Sequence, residues 1–374
     1  MHIKRLETGR WQARYRDSEK REHARNFRTR IEAQRWLDTV TASMVRSDYV
    51  DPRAGKAMIG ELAERWYAGT ATLKPSTRAN YRSLLDAHVL PRWANIELRN
   101  VSTSAIKAWV SDLSASSAAS TTRKALGVLR NTLDLAVADR RLAVNPAAGV
   151  AQPKLPITEQ RFLQADELDV LAIATGSERD RVLVLVLGWI GLRFGEAVAL
   201  QAGDVDTLRR RIRISRSATE VRGRIEWGTP KSHTARTVAV PAFLTNDIAG
   251  LMVDRESLVF RDAQGGPIRG TNWKHRVFDS AAREVGLTPP PLRVHDLRHT
   301  AASLAIRAGG SIKSLQMQLG HQSATLTLDR YGHLFPDELG ALSTALEKLR
   351  SDSVADSLRT VGEVADVVEL PAGR

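Results

Sequence analysis

Residues 294–303 read VHDLRHTAAS, which gathers two histidines, an arginine and an aspartate just ahead of an apolar run. On a helix, His295 and His299 lie four apart and share a face, the spacing of a zinc-binding H-E-x-x-H pair. Two features weaken a metal reading. The position of the expected glutamate base holds Asp296, whose arm is shorter, and the permanent cation of Arg298 sits between the histidines, where it would repel Zn²⁺. A plain polar helix start is a second reading, because an aspartate near a helix N-terminus suits the dipole. A third is a site that grips an anion.

Other stretches bear on the third reading. GWIGLRFGEAVAL (188–200) sets Arg193 between two glycines, directly after an apolar helix. GTPKSHTART (228–237) sets Lys231 in a turn that connects strands. MQLGHQS (317–323) sets His321 beside Gly320 at a helix end, and TLDRYGHL (327–334) sets Tyr331 just past a helix. Taken singly each is weak, since Arg193 could be a surface arginine and Tyr331 a core aromatic. The overall charge favours an anionic partner: the chain has 374 residues and a formal net charge of +13, which points to a polyanion, most simply nucleic acid.

These residues need elements to hold them. The length suggests two or three domains, and 43% hydrophobic residues suffice for globular cores. The absence of cysteine removes disulfides, cysteine–zinc sites and thiol nucleophiles together, and suits the cytoplasm. No apolar run approaches the roughly 20 residues of a membrane span, and the N-terminus lacks an apolar signal core. Residues 3–30 alternate aromatic or apolar residues with Arg and Lys, with turn residues at Thr8-Gly9 and Asp17-Ser18, and predict a three-stranded antiparallel sheet. Residues 31–46 predict a helix. With 12 Lys and Arg against 7 Asp and Glu, residues 1–50 form a basic module suited to DNA. DPRAGK (51–56) is a linker.

Residues 57–145 predict a helical domain, with a helix capped at Ser76 or Thr77, another capped near Ser102 or Thr103, a small-residue loop at SASSAAS, and a longer helix carrying Leu126, Leu129 and Leu133 on one face. A proline-bearing linker at 146–160 precedes a mixed domain. There the pattern predicts helices near 166–175, 179–190 and 194–201, a strand-rich stretch to about 240, then helices near 241–250, 271–285, 296–308, 311–319, 323–329 and 336–349. Residues 351–374 hold 2 Arg against 5 Asp and Glu, lack an amphipathic pattern, and read as a disordered tail.

The order Arg193, Lys231, His295-x-x-Arg298, Gly320-His321, Tyr331 resembles the signature of the tyrosine recombinases, the phage-integrase family. The likeness is strongest over 188–335 and covers nearly the whole chain. The N-terminal GRWQARYRD…RNFRTRIEAQRWL is similar to the arm-site DNA-binding module of integrases from temperate phages and integrative elements of actinobacteria. The resemblance implies a multidomain, mainly α fold with small β-sheets. It would comprise an arm-type DNA-binding domain (1–50), a helical, SAM-like core-binding domain (57–145), a mixed α+β catalytic domain (160–350) and the tail (351–374).

The resemblance also implies roles. Arg193 and Arg298 would clamp the non-bridging oxygens of a phosphodiester as charge builds there, with His321 donating a further hydrogen bond. Tyr331 would be the nucleophile and leave a covalent 3′-phosphotyrosine, His295 its base, and Lys231 the acid for the departing 5′ oxygen. Glu196 would orient Arg193 or its helix rather than do chemistry. His299 would support the site or only pack, and Asp296 would cap its helix. A phosphotyrosine stores the energy of the cut bond, so neither ATP, cofactor nor metal is expected, in keeping with a sequence that lacks a G-x-x-x-x-G-K-[ST] loop and a carboxylate cluster.

The implied activity is site-specific integration of a phage or mobile element by a homotetramer on core and arm DNA sites in a bacterial host's cytoplasm, assisted by an excisionase and a host DNA-bending protein. Other readings are a dimer-resolving recombinase, a type IB topoisomerase, a DNA-binding regulator with an inactive catalytic fold and, remotely, a zinc hydrolase. The N-terminal basic module speaks against the first two, and the full set of charged residues against the inactive regulator.

Overall fold

A computed structural model describes residues 1–17, 20–45, 54–156, 161–230, 234–335, 340, 343, 344 and 346–353. The chain divides into two units, Met1–Thr158 and Glu159–Arg374.

The first unit begins with an antiparallel sheet of β1 (His2–Arg5), β2 (Trp11–Arg16) and β3 (Glu22–Phe27) in the order β1-β2-β3. Pairing runs His2 to Arg14 and Trp11 to Phe27. Period-two alternation sends Ala13 and Tyr15 to one face of β2, where they meet Ala33 and Leu37 of α1 (Arg30–Val45). Arg14 and Arg16 fall on the opposite face. Thr29 and Glu32 start α1 as a reciprocal pair: the Glu32 amide donates to the Thr29 hydroxyl and the Thr29 amide to the Glu32 carboxylate.

A helical bundle follows, made of α2 (Ile59–Ala68), α3 (Pro75–Leu84), α4 (Leu90–Trp93), α5 (Thr103–Ser116) and α6 (Ala119–Ala138). Its core is a set of fully buried aliphatics around Trp93, with Leu126, Leu129 and Leu133 of α6 on one buried stripe as the spacing predicts. Two expectations fail here. α3 starts at Pro75 after Lys74, one residue or two before Ser76 and Thr77, because proline fits the first helical position, where no amide partner is needed. SASSAAS is not a loop. α5 runs through Ser116 and α6 starts at Ala119, since alanine favours a helix and serine tolerates one, leaving Ser117 and Ala118 as the connection. Ser102 does cap α5, accepting from the Ala105 amide at 3.2 Å.

The second unit opens with α7 (Ala165–Ile173) and α8 (Glu178–Leu185), the latter continued by a π-helical turn, Val186–Ile190. Gly191, at φ +79°, ends that turn in a conformation few other residues adopt. α9 (Phe194–Ala197) follows and stops short of the expected 201, as Leu200 and Gln201 turn toward bridges with the 257–259 segment. β4 (Val205–Asp206), β5 (Arg211–Ile214) and β8 (Arg236–Ala239) form one antiparallel sheet, and β6 (Ser217–Val221) pairs with β7 (Arg224–Gly228) in a hairpin.

Then come α10 (Ala242–Gly250), α11 (Gly270–Trp273), α12 (Asp279–Glu284), α13 (Asp296–Arg307), α14 (Ile312–Leu319) and α15 (Ala324–Tyr331). Tyr331 is thus the last residue of its helix rather than just past it. Residues 346–353 are helical, so helix extends into 351–353, where the sequence predicts a disordered tail. Residues 354–374 lie outside the described residues. α13 packs on the π-helical turn, which brings the 188–193 stretch against His295–His299.

Leu126 has no exposed surface at the centre of the bundle core. Leu126→Ala is expected to destabilise the first unit by about 2–5 kcal/mol, the cost of a buried cavity. The check is denaturant unfolding of the intact chain, where the transition assigned to that unit should move to lower denaturant.

Candidate active site

α13 is entered through a tight clasp. The Asp296 carboxylate accepts from the Arg293 amide at 2.8 Å and from Arg293 Nη2 at 2.8 Å. Asp296 therefore closes the turn before the helix rather than capping the helix amides. Leu297 is buried in the core, and the Thr300 hydroxyl accepts from the Leu163 amide at 3.0 Å. These anchors fix the rotation of the helix, which aims Arg298 and the two histidines toward one side.

Arg298 is 3% exposed. Its guanidinium donates to the Gly191 carbonyl from Nη1 and to the Leu319 carbonyl from Nη2, both at 2.5 Å. One arginine thus pins the end of the π-helical turn to the end of α14. Burial and the like charge of Arg193 push its pKa down to about 9, which leaves it cationic at neutral pH.

Arg193 sits at the start of α9. Its amide donates to Glu196 Oε2 at 3.1 Å and its Nη1 to Glu196 Oε1 at 2.9 Å. Arg236, the first residue of β8, grips both oxygens of the same carboxylate from the other side, at 3.0 and 2.6 Å. Burial would raise the Glu196 pKa, but the hydrogen bonds and charge of Arg236, and then Arg193, overturn it and hold the carboxyl at about 2. Gly320 makes room for this arrangement. A Cβ there would lie 2.6 Å from the Arg236 Cδ, and its φ of +66° ends α14.

His321 follows at once. Its Nδ1 lies 2.9 Å from the Thr327 hydroxyl. With that hydroxyl donating, the neutral ring keeps its Nε2–H as a free donor. The ring is parallel to that of Tyr331, with centroids 6.3 Å apart. Tyr331 is 1% exposed, and its hydroxyl lies 2.8 Å from His299 Nδ1. The His299 ring meets His295 edge-on at 5.0 Å. Burial, then nearby positive charge, lowers His299 and His321 to about 4 and lowers His295 as well, so neutral imidazoles prevail at pH 7. For Tyr331 burial raises the pKa, against the pull of Arg298 and Arg330.

Arg193, His295, Arg298, His321 and Arg330 line one open cleft of about 670 Å³. Glu196 bonds Arg193 of that lining, and Tyr331, stacked against the lining residue His321, and His299 do not themselves line it. Lys231 lies outside the described residues. Sequence reasoning missed Arg236, though it stands five residues after Lys231 in a quoted stretch, and Thr327. Among the described residues no three His, Asp or Glu side chains cluster as metal ligands would. A cleft lined by arginine forks and neutral imidazoles suits a phosphate-like anion.

A family model for the phage integrase family matches residues 160–338, one for the phage integrase central domain matches 59–152, and one for the phage integrase N-terminal domain matches 2–46. The chain is 30% identical over 363 residues to a protein of Mycobacterium tuberculosis named as a prophage phiRv2 integrase, covering 93% of this chain and 95% of that one. It is 26% identical over 371 residues to the integrase of Mycobacterium phage L5, covering 94% and 98%. Among solved structures, the Tn1549 transposon integrase in complex with transposon right end DNA aligns with a TM-score of 0.67 at 18% identity, over 78% of this chain and 100% of that one. A lambda integrase tetramer bound to a Holliday junction aligns with a TM-score of 0.57 at 18% identity, over 86% and 96%. At such identities these two show the likeness of the fold.

Glu196 is depressed from 4.5 to about 2, so its contribution to stability is full above about 4.5 and is lost as pH falls toward 2. Arg236→Gln leaves the buried carboxylate to Arg193 alone. The variant is expected to lose about 3 kcal/mol at neutral pH. Its acid-induced loss should also begin at higher pH than in the wild type. Thermal unfolding of both proteins between pH 7 and 3 checks this.

Proposed function

The chain belongs to the phage integrase family and is a tyrosine-type site-specific DNA recombinase of the kind that integrates phage or mobile-element DNA, and on that premise we propose which residues carry the reaction. The observation that bears most weight is the meeting of Arg193, Arg298 and His321 in one cleft, with the Tyr331 ring parallel to that of His321 at 6.3 Å. Arg193 and Arg298 clamp the non-bridging oxygens of the scissile phosphate, and their charge offsets what builds there in the pentacoordinate transition state. His321 adds a neutral hydrogen bond through Nε2, oriented by Thr327. Tyr331 attacks the phosphorus and leaves a 3′-phosphotyrosine. Lys231 protonates the departing 5′ oxygen. Glu196, held by Arg236, sets the position of Arg193. Tyr331 must lose its proton; the family pattern gives that step to His295, while His299 is the imidazole bonded to the hydroxyl.

The same reading assigns residues 1–50 to arm-type DNA sites, 57–145 to the core site and 160–350 to catalysis. The basic outer face of β2, with Arg14 and Arg16, supports the first of these, and the separate cores of sheet and bundle support the boundary between them. A homotetramer on paired sites, an excisionase, a host DNA-bending protein and a bacterial cytoplasm complete the proposal. No helix among the described residues is long and apolar enough to cross a membrane.

Tyr331→Phe deletes one oxygen and no charge, while DNA affinity rests on Lys and Arg contacts to phosphate. The variant should bind core DNA as the wild type does and form no covalent adduct on a nicked suicide substrate, read on a denaturing gel. A persisting adduct would place the nucleophile elsewhere.

Deleting residues 1–55 should keep core-site cleavage and abolish integration between attachment sites. Footprints of intact and truncated protein on attachment-site DNA check this, and identical footprints would sink the arm-site assignment.

A further inference from the structure

We propose that His299 is the group that takes the phenolic proton of Tyr331 during strand cleavage and returns it during rejoining. The inference rests on the reading of Tyr331 as nucleophile. It assigns His295 a different place, on the wall of the cleft beside the phosphate.

The geometry carries the assignment. His299 Nδ1 is 2.8 Å from the Tyr331 hydroxyl, a hydrogen bond between two residues at most 4% exposed. Among the described residues no hydrogen bond joins His295 to that hydroxyl. His295 lines the open cleft, where a substrate phosphate would lie, whereas His299 does not. His295 and His299 sit one turn apart on α13, whose rotation is fixed by the Asp296 clasp and by Leu297 and Thr300. The direction of His299 toward α15 is therefore built into the backbone.

The surroundings suit an acceptor. His295, Asp296 and Arg293 face His299 from its own segment, and Arg330 and Tyr331 from α15. Burial and the positive neighbours hold the ring neutral, so an acceptor nitrogen is open at physiological pH. The imidazolium that forms is a strong acid, and the phenol is a weak one. The proton therefore cannot move ahead of attack. It moves as the oxygen–phosphorus bond forms and the basicity of the phenolic oxygen collapses. Arg298 and Arg330 favour the phenolate character that develops on the way.

In the cleavage step the Tyr331 oxygen–phosphorus bond forms, the phosphorus–O5′ bond breaks, and the phenolic proton passes to His299 Nδ1. The 5′ oxygen takes its proton from the separate acid on the opposite side. In rejoining, the 5′ hydroxyl attacks and gives up that proton, the phosphotyrosine bond breaks, and the phenolate recovers its proton from His299. The imidazolium gives up its proton readily, to the phenolate on immediate reversal or to solvent while the covalent intermediate stands, and in the second case the ring takes up a proton again before it serves as acid in rejoining.

The test uses the intact chain, a nicked suicide substrate and single-turnover adduct formation. His299→Asn keeps a polar group near Nδ1 without a proton acceptor. It should bind core DNA normally and form adduct about 100-fold or more slowly, the usual span of a lost general base. Replacing Tyr331 with a fluorotyrosine of lower pKa should restore at least tenfold to this variant and little to the wild type. A substrate with sulfur at the bridging 5′ position, whose thiolate leaves without a proton, should not restore it.

Slow adduct with no fluorotyrosine rescue would make His299 a merely structural partner. Rescue by the sulfur substrate would move it to the leaving-group side. Faster adduct would make it a latch on Tyr331. Any of these overturns the proposal, while an adduct mapped to a residue other than Tyr331 overturns the underlying assignment of the nucleophile as well. If His299→Asn fails to bind DNA, the wild type on the sulfur substrate decides. Its only proton in flight is then the phenolic one, so adduct formation should slow about twofold in D₂O, and an unchanged rate would overturn the assignment.

Discussion

Like charges gathered in a half-buried cleft repel one another, and the Glu196 carboxylate is what allows this cleft to exist before its anion arrives. Arg193, Arg236, Arg298 and Arg330 all belong to the region, and charges a few ångströms apart interact strongly where water is scarce. Glu196 answers with a carboxylate 1% exposed, bonded to one arginine from each side. It cannot neutralise them all. Arg236 takes both oxygens and absorbs most of the carboxylate, so Arg193 keeps a guanidinium able to meet a substrate. The positions of α9, β8 and the end of α14 follow from this knot, because Gly320 must stay bare for the Arg236 side chain to pass.

The imidazoles answer the same pressure in another way. His295, His299 and His321 crowd near the arginines and shed their protons. Each is then free to act as donor or acceptor according to the partner at its other nitrogen. Thr327 does this for His321, whereas His299 meets Tyr331 through Nδ1 itself. On the proposed reading the site separates two tasks: permanent cations hold charge, and neutral rings supply hydrogen bonds and take protons.

Much of this was legible in the sequence. The arginines, His295, His321 and Tyr331 stand in short stretches whose local turn chemistry, glycine beside arginine or glycine beside histidine, survives in the fold. The N-terminal sheet was legible because alternation over β2 is a local pattern. What was not legible depends on partners distant in the chain. Arg236 looks like any strand arginine until Glu196, 40 residues earlier, is folded against it. His299 is one of two equivalent histidines on a helical face until α15 packs beside it. The misplaced start of α3 and the false loop at SASSAAS have a different origin. Serine and threonine there are compatible with either state, and Pro75 in the one case and the alanines in the other decided.

Arg298 is held by main-chain carbonyls of Gly191 and Leu319, not by side chains. A carbonyl is supplied by whatever residue occupies a position, so mutation cannot delete these acceptors unless it moves the backbone. What Arg298 depends on is therefore the packing that holds the π-helical turn and α14 in place, not a particular side chain on either. The arrangement ties the bearing of Arg298 to the course of the main chain, and so to Gly191, whose positive φ and close approach to Leu319 and Ala301 leave no room for a side chain.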